Sequence, residues 1–205
     1  MSYKNLIFDF DGTISDTYPC LTACFLDVLH YFGLSDTYES VLAKLKISIA
    51  YAIGKYDFPV EYADVSQKLK EYHHTRAYSE QFPIAGASEI LKYASERGCR
   101  NFIYTLSGTL PEELMKIWGI DGCFTEIVNS TYGFARKPSP EALEYLAEKY
   151  GLSLSECLMI GDRDIDTDCG HNAGMAGCLF DPDHYYDNTE VEYRITDLLQ
   201  LKDLI

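Results

Sequence analysis

Short apolar runs recur along the chain, and a polar or acidic residue follows each of them. The runs are LIF before Asp9, FIY before Thr105, EIV before Asn129, CLMIG before Asp162 and GCLF before Asp181. Because they are short, almost wholly apolar and bounded by polar residues, they are typical of strands buried on both faces. The pattern therefore predicts strands in the interior of a sheet.

Helical patterns separate these strands. One helix is predicted to begin at Pro111 and to end at Gly119, and another begins at Pro140 and ends at Gly151. Proline is favoured in the first helical turn, and glycine is favoured just beyond the last one. Strands that alternate with helices indicate a parallel sheet with helices on both faces. We therefore predict an α/β protein whose core is a Rossmann-like, doubly wound parallel sheet.

Residues 16–82 break this alternation. Four helical stretches follow one another there without a convincing strand between them. The chain is thus predicted to carry an all-helical insert, so that residues 1–15 and 83–205 form the α/β core and residues 16–82 form a separate domain. We expect the hinges between the two domains at residues 15–17 and 81–83.

Composition and charge exclude several classes of partner. The chain has 205 residues, of which 47% are hydrophobic, which is enough for a large folded core. Its formal net charge of −15 argues against binding through basic patches, so we expect neither nucleic acid nor a membrane as a partner. No apolar stretch approaches the roughly 18 residues of a membrane span. We expect a cytoplasmic protein that is a monomer or a weak homodimer.

Polar residues from distant parts of the sequence are expected to meet in one crevice. Asp9, Thr105 and Asp162 each follow a predicted strand, and ligands bind beyond the carboxyl ends of the strands in an open parallel sheet. The segment DFDGT adds Asp11, because Gly12 permits a tight turn that bends Asp11 back over the site. These acids and this hydroxyl together predict a ligand site.

Four segments of the chain occur in an order and spacing that resemble the motifs of the haloacid dehalogenase superfamily of hydrolases. They are DFDGT, Thr105 after FIY, Lys137 within RKPSPEAL, and GDRDID up to Asp166. The resemblance extends along nearly the whole chain. The helical insert is similar to the C1-type cap domain of phosphoglycolate phosphatase and β-phosphoglucomutase relatives, which implies that it selects the substrate.

The resemblance implies a role for each acid. Asp9 would be the nucleophile and a ligand of Mg²⁺, Asp11 a ligand through its backbone carbonyl, and Asp162 the third protein ligand. Asp166 would orient metal-bound water. Asp11 would also protonate the leaving alkoxide and then take a proton from the water that completes hydrolysis. The dehalogenases of the superfamily lack this second acid and need no metal, so the resemblance favours phosphate ester hydrolysis.

The other implied residues hold phosphate or substrate. Thr105 would bind a phosphate oxygen through its hydroxyl, with the backbone N–H groups of Leu106 and Ser107 nearby, and Lys137 would neutralise charge between the nucleophile and the transferring group. In the related caps a loop between early helices reaches the substrate. The corresponding stretch here is KLKIS, and Lys46 and Ser48 are its candidate contacts.

The sequence therefore predicts a Mg²⁺-dependent phosphatase of small phosphorylated metabolites, such as phosphoglycolate or sugar phosphates, that acts through a phosphoaspartyl intermediate. A phosphomutase with the same intermediate is the close alternative, and the sequence does not separate the two. A non-catalytic phospho-ligand binding or signalling module is the alternative of a different class. Receiver domains place their phosphorylated Asp on a later strand and have no helical insert after the first, so that alternative is disfavoured.

Overall fold

A computed structural model describes residues 2–186 and 189–205. The chain folds as two compact units, one formed by Met1–Ser15 together with Pro83–Ile205 and the other by Asp16–Phe82. The first unit contains the strands, and the second is helical. Among the described residues, no helix has the length and apolar character to cross a membrane.

The first unit is built on a six-stranded sheet in which all neighbouring strands are parallel and the order is β3-β2-β1-β4-β5-β6. The strands are β1 Asn5–Phe8, β2 Arg100–Tyr104, β3 Phe124–Val128, β4 Cys157–Gly161, β5 Ala176–Phe180 and β6 Tyr193–Ile195. The first five follow the apolar runs, whereas β6 was not predicted. The order is that of a doubly wound fold, so the predicted fold class is confirmed.

The helices belong to the two units in separate groups. The second unit contains α1 Thr17–Tyr31, α2 Tyr38–Ile47, α3 Ile49–Ile53 and α4 Tyr62–Glu80, and the first unit contains α5 Ala87–Glu96, α6 Leu110–Ile117, α7 Glu141–Tyr150 and α8 Asp164–Asn172. Pro111 lies in the first turn of α6, and Gly151 ends α7 in the left-handed conformation with φ 59°. These are the positions that the sequence predicted for a helix start and a helix end.

One face of the sheet packs against α7. Ile7, Phe102 and Met159 come from β1, β2 and β4, and they are buried in the same cluster as Leu143 and Leu146 of α7. Because the strand order reverses between β1 and β4, the carboxyl ends of these two strands border the crevice where such sheets bind ligands.

The second unit has its own apolar core. Phe25 and Leu29 of α1 pack with Val41 of α2 and Leu69 of α4. The expectation of a loop at residues 44–48 is wrong, because this stretch is the last turn of α2 followed by its cap.

The segment KLKIS continues the helical pattern of α2 through Ile47. Only Ser48 lies between α2 and α3, and its hydroxyl accepts a hydrogen bond from the backbone N–H of Tyr51 at 2.9 Å. Ser48 is therefore the N-cap of α3, a position that favours serine.

The chain passes between the units at two neighbouring places. Ser15 forms an antiparallel bridge with Pro83, and the backbone N–H of Asp16 donates to the carbonyl of Phe82 at 2.9 Å. The two crossing segments are therefore held to each other by backbone pairing. Hinge motion at residues 15–17 and 81–83 stays a prediction.

Candidate active site

Asp9 lies directly after β1 at the carboxyl edge of the sheet. Its side chain is buried, and its backbone N–H donates to the carbonyl of Ile160 in β4 at 2.8 Å, so the parallel ladder extends to this residue. Gly12 follows with φ 83°, a left-handed conformation that glycine adopts without strain. The turn at Gly12 leaves Asp11 beside Asp9 at the sheet edge.

Phe10, between the two acids, faces away from solvent. It is 1% exposed, and its ring stacks on that of Trp118 with centroids 5.9 Å apart and planes within 9°. Trp118 follows α6 directly and is partly buried. This packing fixes the backbone that carries Asp9 and Asp11.

Lys137 places its positive charge between two buried carboxylates. Its Nζ donates to Oδ1 of Asp9 at 2.6 Å and to Oδ1 of Asp166 at 2.8 Å, and all three side chains are almost completely buried. Burial alone would lower the pKa of Lys137, but the two carboxylates outweigh it and hold that pKa above its usual range. Lys137 is therefore a fixed ammonium between two acids.

The acids carry more negative charge than Lys137 neutralises. Burial raises the pKa of Asp9 to about 8, Lys137 opposes this shift, and the carboxylates of Asp166, Asp162 and Asp11 reinforce it. A carboxyl whose pKa is raised by burial and by like charges needs a further cation to ionise fully near neutral pH.

The residues present fit a divalent cation. Asp9, Asp162 and Asp166 each offer a carboxylate oxygen within 4.8 Å of the others, and all three are buried. Within the described part of the chain, Oδ2 of Asp9 is buried without a hydrogen-bond partner. A buried carboxylate oxygen costs free energy unless something binds it. Hard cations such as Mg²⁺ favour oxygen donors of this kind.

Asp166 reaches the site because Gly161 has no side chain. A Cβ at Gly161 would lie 2.2 Å from Cβ of Asp166, closer than two non-bonded carbon atoms can approach. Asp166 lies in the first turn of α8, and its Oδ2 accepts the backbone N–H of Arg163 at 3.1 Å. The neighbouring acids of this helix, Asp164 and Asp168, are exposed.

Thr105 lies at the same edge, directly after β2. It is completely buried, and its N–H donates to the carbonyl of Val128 at 2.9 Å. Its hydroxyl oxygen accepts the N–H of Ser107 at 3.0 Å, which leaves the hydroxyl proton able to donate to a phosphate oxygen. Leu106 is partly buried between them. The phosphate contacts of Thr105 and of the backbone N–H groups of Leu106 and Ser107 stay predictions.

Sequence reasoning missed the hydroxyl of Ser107. Its Oγ donates to Oδ2 of Asp11 at 2.6 Å, joining the segment after β2 to the segment after β1. Serine after a strand is ordinary in a turn, so the sequence offered no signal for this contact.

A loop after β5 was also missed. Asp181 is buried at the end of this strand, where its carboxylate accepts the backbone N–H groups of Tyr185 at 2.8 Å and Tyr186 at 3.0 Å and the guanidinium of Arg194 at 2.8 Å. Burial first, and then the carboxylates of Asp164, Asp162 and Asp166, raise the pKa of Tyr186 above its usual range. The apolar run GCLF before Asp181 was the signal that could have identified this anchor.

A family model described as haloacid dehalogenase-like hydrolase matches residues 6–180. The chain belongs to this family. The matched residues extend from β1 to the end of β5, so they include every strand that carries a candidate site residue.

Relatives of this haloacid dehalogenase-like hydrolase carry phosphatase names. The phosphoglycolate phosphatase of Haemophilus influenzae is 26% identical over 187 residues, which cover 85% of the chain and 84% of that protein. The pyrophosphatase PpaX of Halalkalibacterium halodurans is 25% identical over 217 residues, 100% of the chain and 98% of that protein. A solved hydrolase from Streptococcus pneumoniae is 32% identical with a TM-score of 0.70, covering 99% of the chain and 98% of its own. Together with the family match, these relatives identify a phosphatase.

Two predicted residues of this haloacid dehalogenase-like phosphatase belong to the helical unit. Lys46 lies in the last turn of α2, with its Nζ 4.0 Å from the ring centroid of Tyr18, a cation–π distance. Ser48 caps α3. Their part in substrate choice stays a prediction.

Proposed function

We propose that the protein is a Mg²⁺-dependent phosphatase that hydrolyses small phosphorylated metabolites through a phosphoaspartyl intermediate on Asp9. The observation that supports this most is the state of the Asp9 carboxylate. One oxygen is fixed by Lys137 at 2.6 Å, and the other is buried without a hydrogen-bond partner among the described residues. A carboxylate held in this way is oriented for attack on phosphorus.

In the first step, the Asp9 carboxylate attacks phosphorus, and the bond between phosphorus and the ester oxygen breaks. The electron pair goes to the leaving oxygen, which takes a proton from the Asp11 carboxyl. Thr105, the backbone N–H of Leu106 and Lys137 hold the oxygens of the transferring phosphoryl group.

In the second step, Asp11 acts as a base. It removes a proton from a water molecule, whose oxygen attacks the phosphorus of the aspartyl phosphate. The acyl phosphate bond breaks, Asp9 recovers its carboxylate, and inorganic phosphate leaves. Asp11 is protonated again and ready for the next ester.

The cation would be held by Asp9 and Asp162 through carboxylate oxygens and by Asp11 through its backbone carbonyl, with Asp166 orienting water. Bound there, Mg²⁺ would supply the positive charge that reduces repulsion between a carboxylate and a phosphate dianion. Lys137 supplies only part of the positive charge that the site needs. Although Lys137 lowers the pKa of Asp9, that pKa stays raised overall.

Substrates are proposed as phosphomonoesters such as phosphoglycolate or sugar phosphates. The relatives bear names for different phosphate compounds, so the class is proposed rather than one compound. We assign selection among them to the helical unit, with Lys46 and Ser48 as its candidate contacts. The cytoplasmic location and the monomeric or weakly dimeric state stay predictions.

The test uses the purified protein with 4-nitrophenyl phosphate and a panel of metabolite phosphates. Phosphate release that requires Mg²⁺ and stops with EDTA is expected, and Asp9→Asn should abolish it. Asp168→Asn, which changes an exposed acid of α8, should retain it. Wild-type protein quenched during turnover should carry phosphate that hydroxylamine removes, as expected for an acyl phosphate.

Other outcomes would identify the alternatives. Full activity of Asp9→Asn would contradict the proposal. Isomerisation of a sugar phosphate without net phosphate release would identify a phosphomutase, and stoichiometric phosphate binding without turnover would identify a binding module.

A further inference from the structure

We propose that the Ser107 hydroxyl positions the Asp11 carboxyl for proton transfer, which makes Ser107 a positioning residue of the phosphatase reaction. Ser107 Oγ donates to Oδ2 of Asp11 at 2.6 Å, a short distance within the range for hydroxyl–carboxyl bonds. The inference rests on the proposed function, in which Asp11 gives its proton to the leaving oxygen.

The Ser107 hydroxyl is itself held in place by its backbone. The N–H of Ser107 donates to the hydroxyl oxygen of Thr105 at 3.0 Å, and the carbonyl of Ser107 accepts the N–H of Ser130 at 2.9 Å. These partners lie just beyond β2 and β3. Because both backbone groups are engaged, little conformational entropy remains to be lost when the side chain holds Asp11.

The contact also bears on which oxygen of Asp11 carries the proton. A protonated carboxyl has one O–H oxygen and one carbonyl oxygen, and a hydroxyl donor favours the carbonyl oxygen as its acceptor. Ser107 donates to Oδ2, so Oδ2 is the acceptor oxygen whenever the Asp11 carboxyl carries a proton. Loss of this bond would remove one restraint on the orientation of the carboxyl, and a proton donor depends on position before all else.

Asp11 is only partly buried, so packing restricts its side chain less than it restricts Asp9. Asp9 is fixed by Lys137 and by surrounding apolar residues, whereas Asp11 and Ser107 are both partly exposed. A side chain at such a surface samples several rotamers unless a hydrogen bond restricts it. The Ser107 contact therefore adds a restraint on the Asp11 carboxyl beyond packing.

The test compares kcat/KM of Ser107→Ala and wild type on 2,4-dinitrophenyl phosphate, 4-nitrophenyl phosphate and an alkyl phosphate. This ratio reports the steps up to departure of the leaving group. A dinitrophenolate leaves without a proton, whereas an alkoxide needs one. We expect a fall of roughly tenfold or more on the alkyl ester, within the range for general acid catalysis, and less than about twofold on the dinitrophenyl ester.

A second readout is the turnover number on the dinitrophenyl ester. Asp11 also serves as the base in the second step, so Ser107→Ala should lower kcat there while kcat/KM stays nearly constant. Ser107→Thr keeps the hydroxyl and should restore both values. Ser130→Ala should resemble wild type, because it removes an exposed hydroxyl and leaves the backbone contact to Ser107 in place.

Equal losses of kcat/KM on all three esters would overturn the inference, since they would mean that Ser107 binds phosphate or only stabilises the fold. Asp11→Asn separates this failure from failure of the proposed function. If Asp11→Asn shows the dependence on leaving group and Ser107→Ala does not, only the role of Ser107 is wrong. If neither variant shows it, Asp11 is not the proton donor, and the roles given to Asp11 and Ser107 both fall, whereas the nucleophilic role of Asp9 is tested separately by Asp9→Asn.

Discussion

Lys137 and Asp166 form an ion pair from which solvent is excluded, with Nζ 2.8 Å from Oδ1 and both side chains at 0% exposure. The same ammonium bonds to Asp9 at 2.6 Å. Removing charges from water is costly, and the cost is recovered only while each charge keeps its partners. The three side chains therefore depend on one another, and removing any one of them should lower the free energy of unfolding substantially.

Lys137→Met tests this dependence. The variant leaves two buried carboxylates without their ammonium, and breaking a buried pair costs roughly 3–5 kcal/mol. We expect the free energy of unfolding, measured by urea denaturation without added cation, to fall by about that amount. The deficit should shrink as pH falls, because the orphaned carboxylates take up protons.

Lys4→Met provides the control. Lys4 pairs with Glu156, the two side chains are 64% and 38% exposed, and exposed pairs contribute little. If both lysine variants lost the same stability, the buried ammonium would have no special role.

Gly161→Ala should displace Asp166. The added Cβ would lie 2.2 Å from Cβ of Asp166, so either α8 or the end of β4 must shift, at a cost of roughly 1–3 kcal/mol. We expect a lower melting temperature and loss of phosphate release together. Gly122→Ala is the matched control, because nothing lies within 4 Å of its added Cβ. An active, fully stable Gly161→Ala would refute the geometry.

Cation binding should depend on pH through Asp9. Burial raises the pKa of this carboxyl to about 8 from an ordinary 3.8. Its contribution to stability without cation is therefore complete below the ordinary value and is lost as pH rises towards about 8. A cation needs the ionised form, so the rise in melting temperature caused by Mg²⁺ should be larger at about pH 8.5 than at about pH 6.

Asp9→Asn should abolish this pH dependence, since an amide does not titrate. Calorimetry in two buffers of different ionisation enthalpy measures protons released per cation bound. A cation-induced stabilisation in wild type that did not change across this pH range would contradict the assignment of Asp9.

Substrate choice is tested in the helical unit. If Lys46 contacts the part of the substrate beyond its phosphate, Lys46→Ala should change the order of kcat/KM among metabolite phosphates. Lys55→Ala removes a lysine of the same unit that also lies over a tyrosine, 4.4 Å from the ring centroid of Tyr51. The Lys55→Ala control should leave the order of kcat/KM among the substrates unchanged. An unchanged order in Lys46→Ala would exclude it as a specificity residue.

The sheet was predictable where burial acts on both faces of a strand. The runs LIF of β1 and CLMIG of β4 are apolar, and every residue of both strands is buried. The edge strand β6 has only three residues, Tyr193–Ile195, and two of them are partly exposed. Tyr193, Arg194 and Ile195 alternate between apolar and polar side chains instead of forming a continuous apolar run, and three residues are too few for that alternation to predict a strand.

The site was predictable where chain direction decides position. Asp9, Thr105 and Asp162 follow parallel strands, so they share one edge whatever the surroundings. The contact of Ser107 with Asp11 depends on how two turns meet, which local sequence does not encode.

In the helical unit, local helix signals predict the structure of residues 44–48 better than the family resemblance does. A loop was expected at residues 44–48 by resemblance, yet Lys44–Ile47 continues the periodicity of α2, and Ser48 suits the cap of α3. Local helix chemistry decided the structure of that segment.

The stack of Trp118 on Phe10 gives the protein an optical property. Trp118 is the single tryptophan of the chain, and its ring lies parallel to a side chain whose backbone neighbours are Asp9 and Asp11. Its emission comes from one known location, beside the segment on which phosphate would be received. Stopped-flow fluorescence of the unlabelled protein can therefore follow events at this segment with natural, colourless substrates.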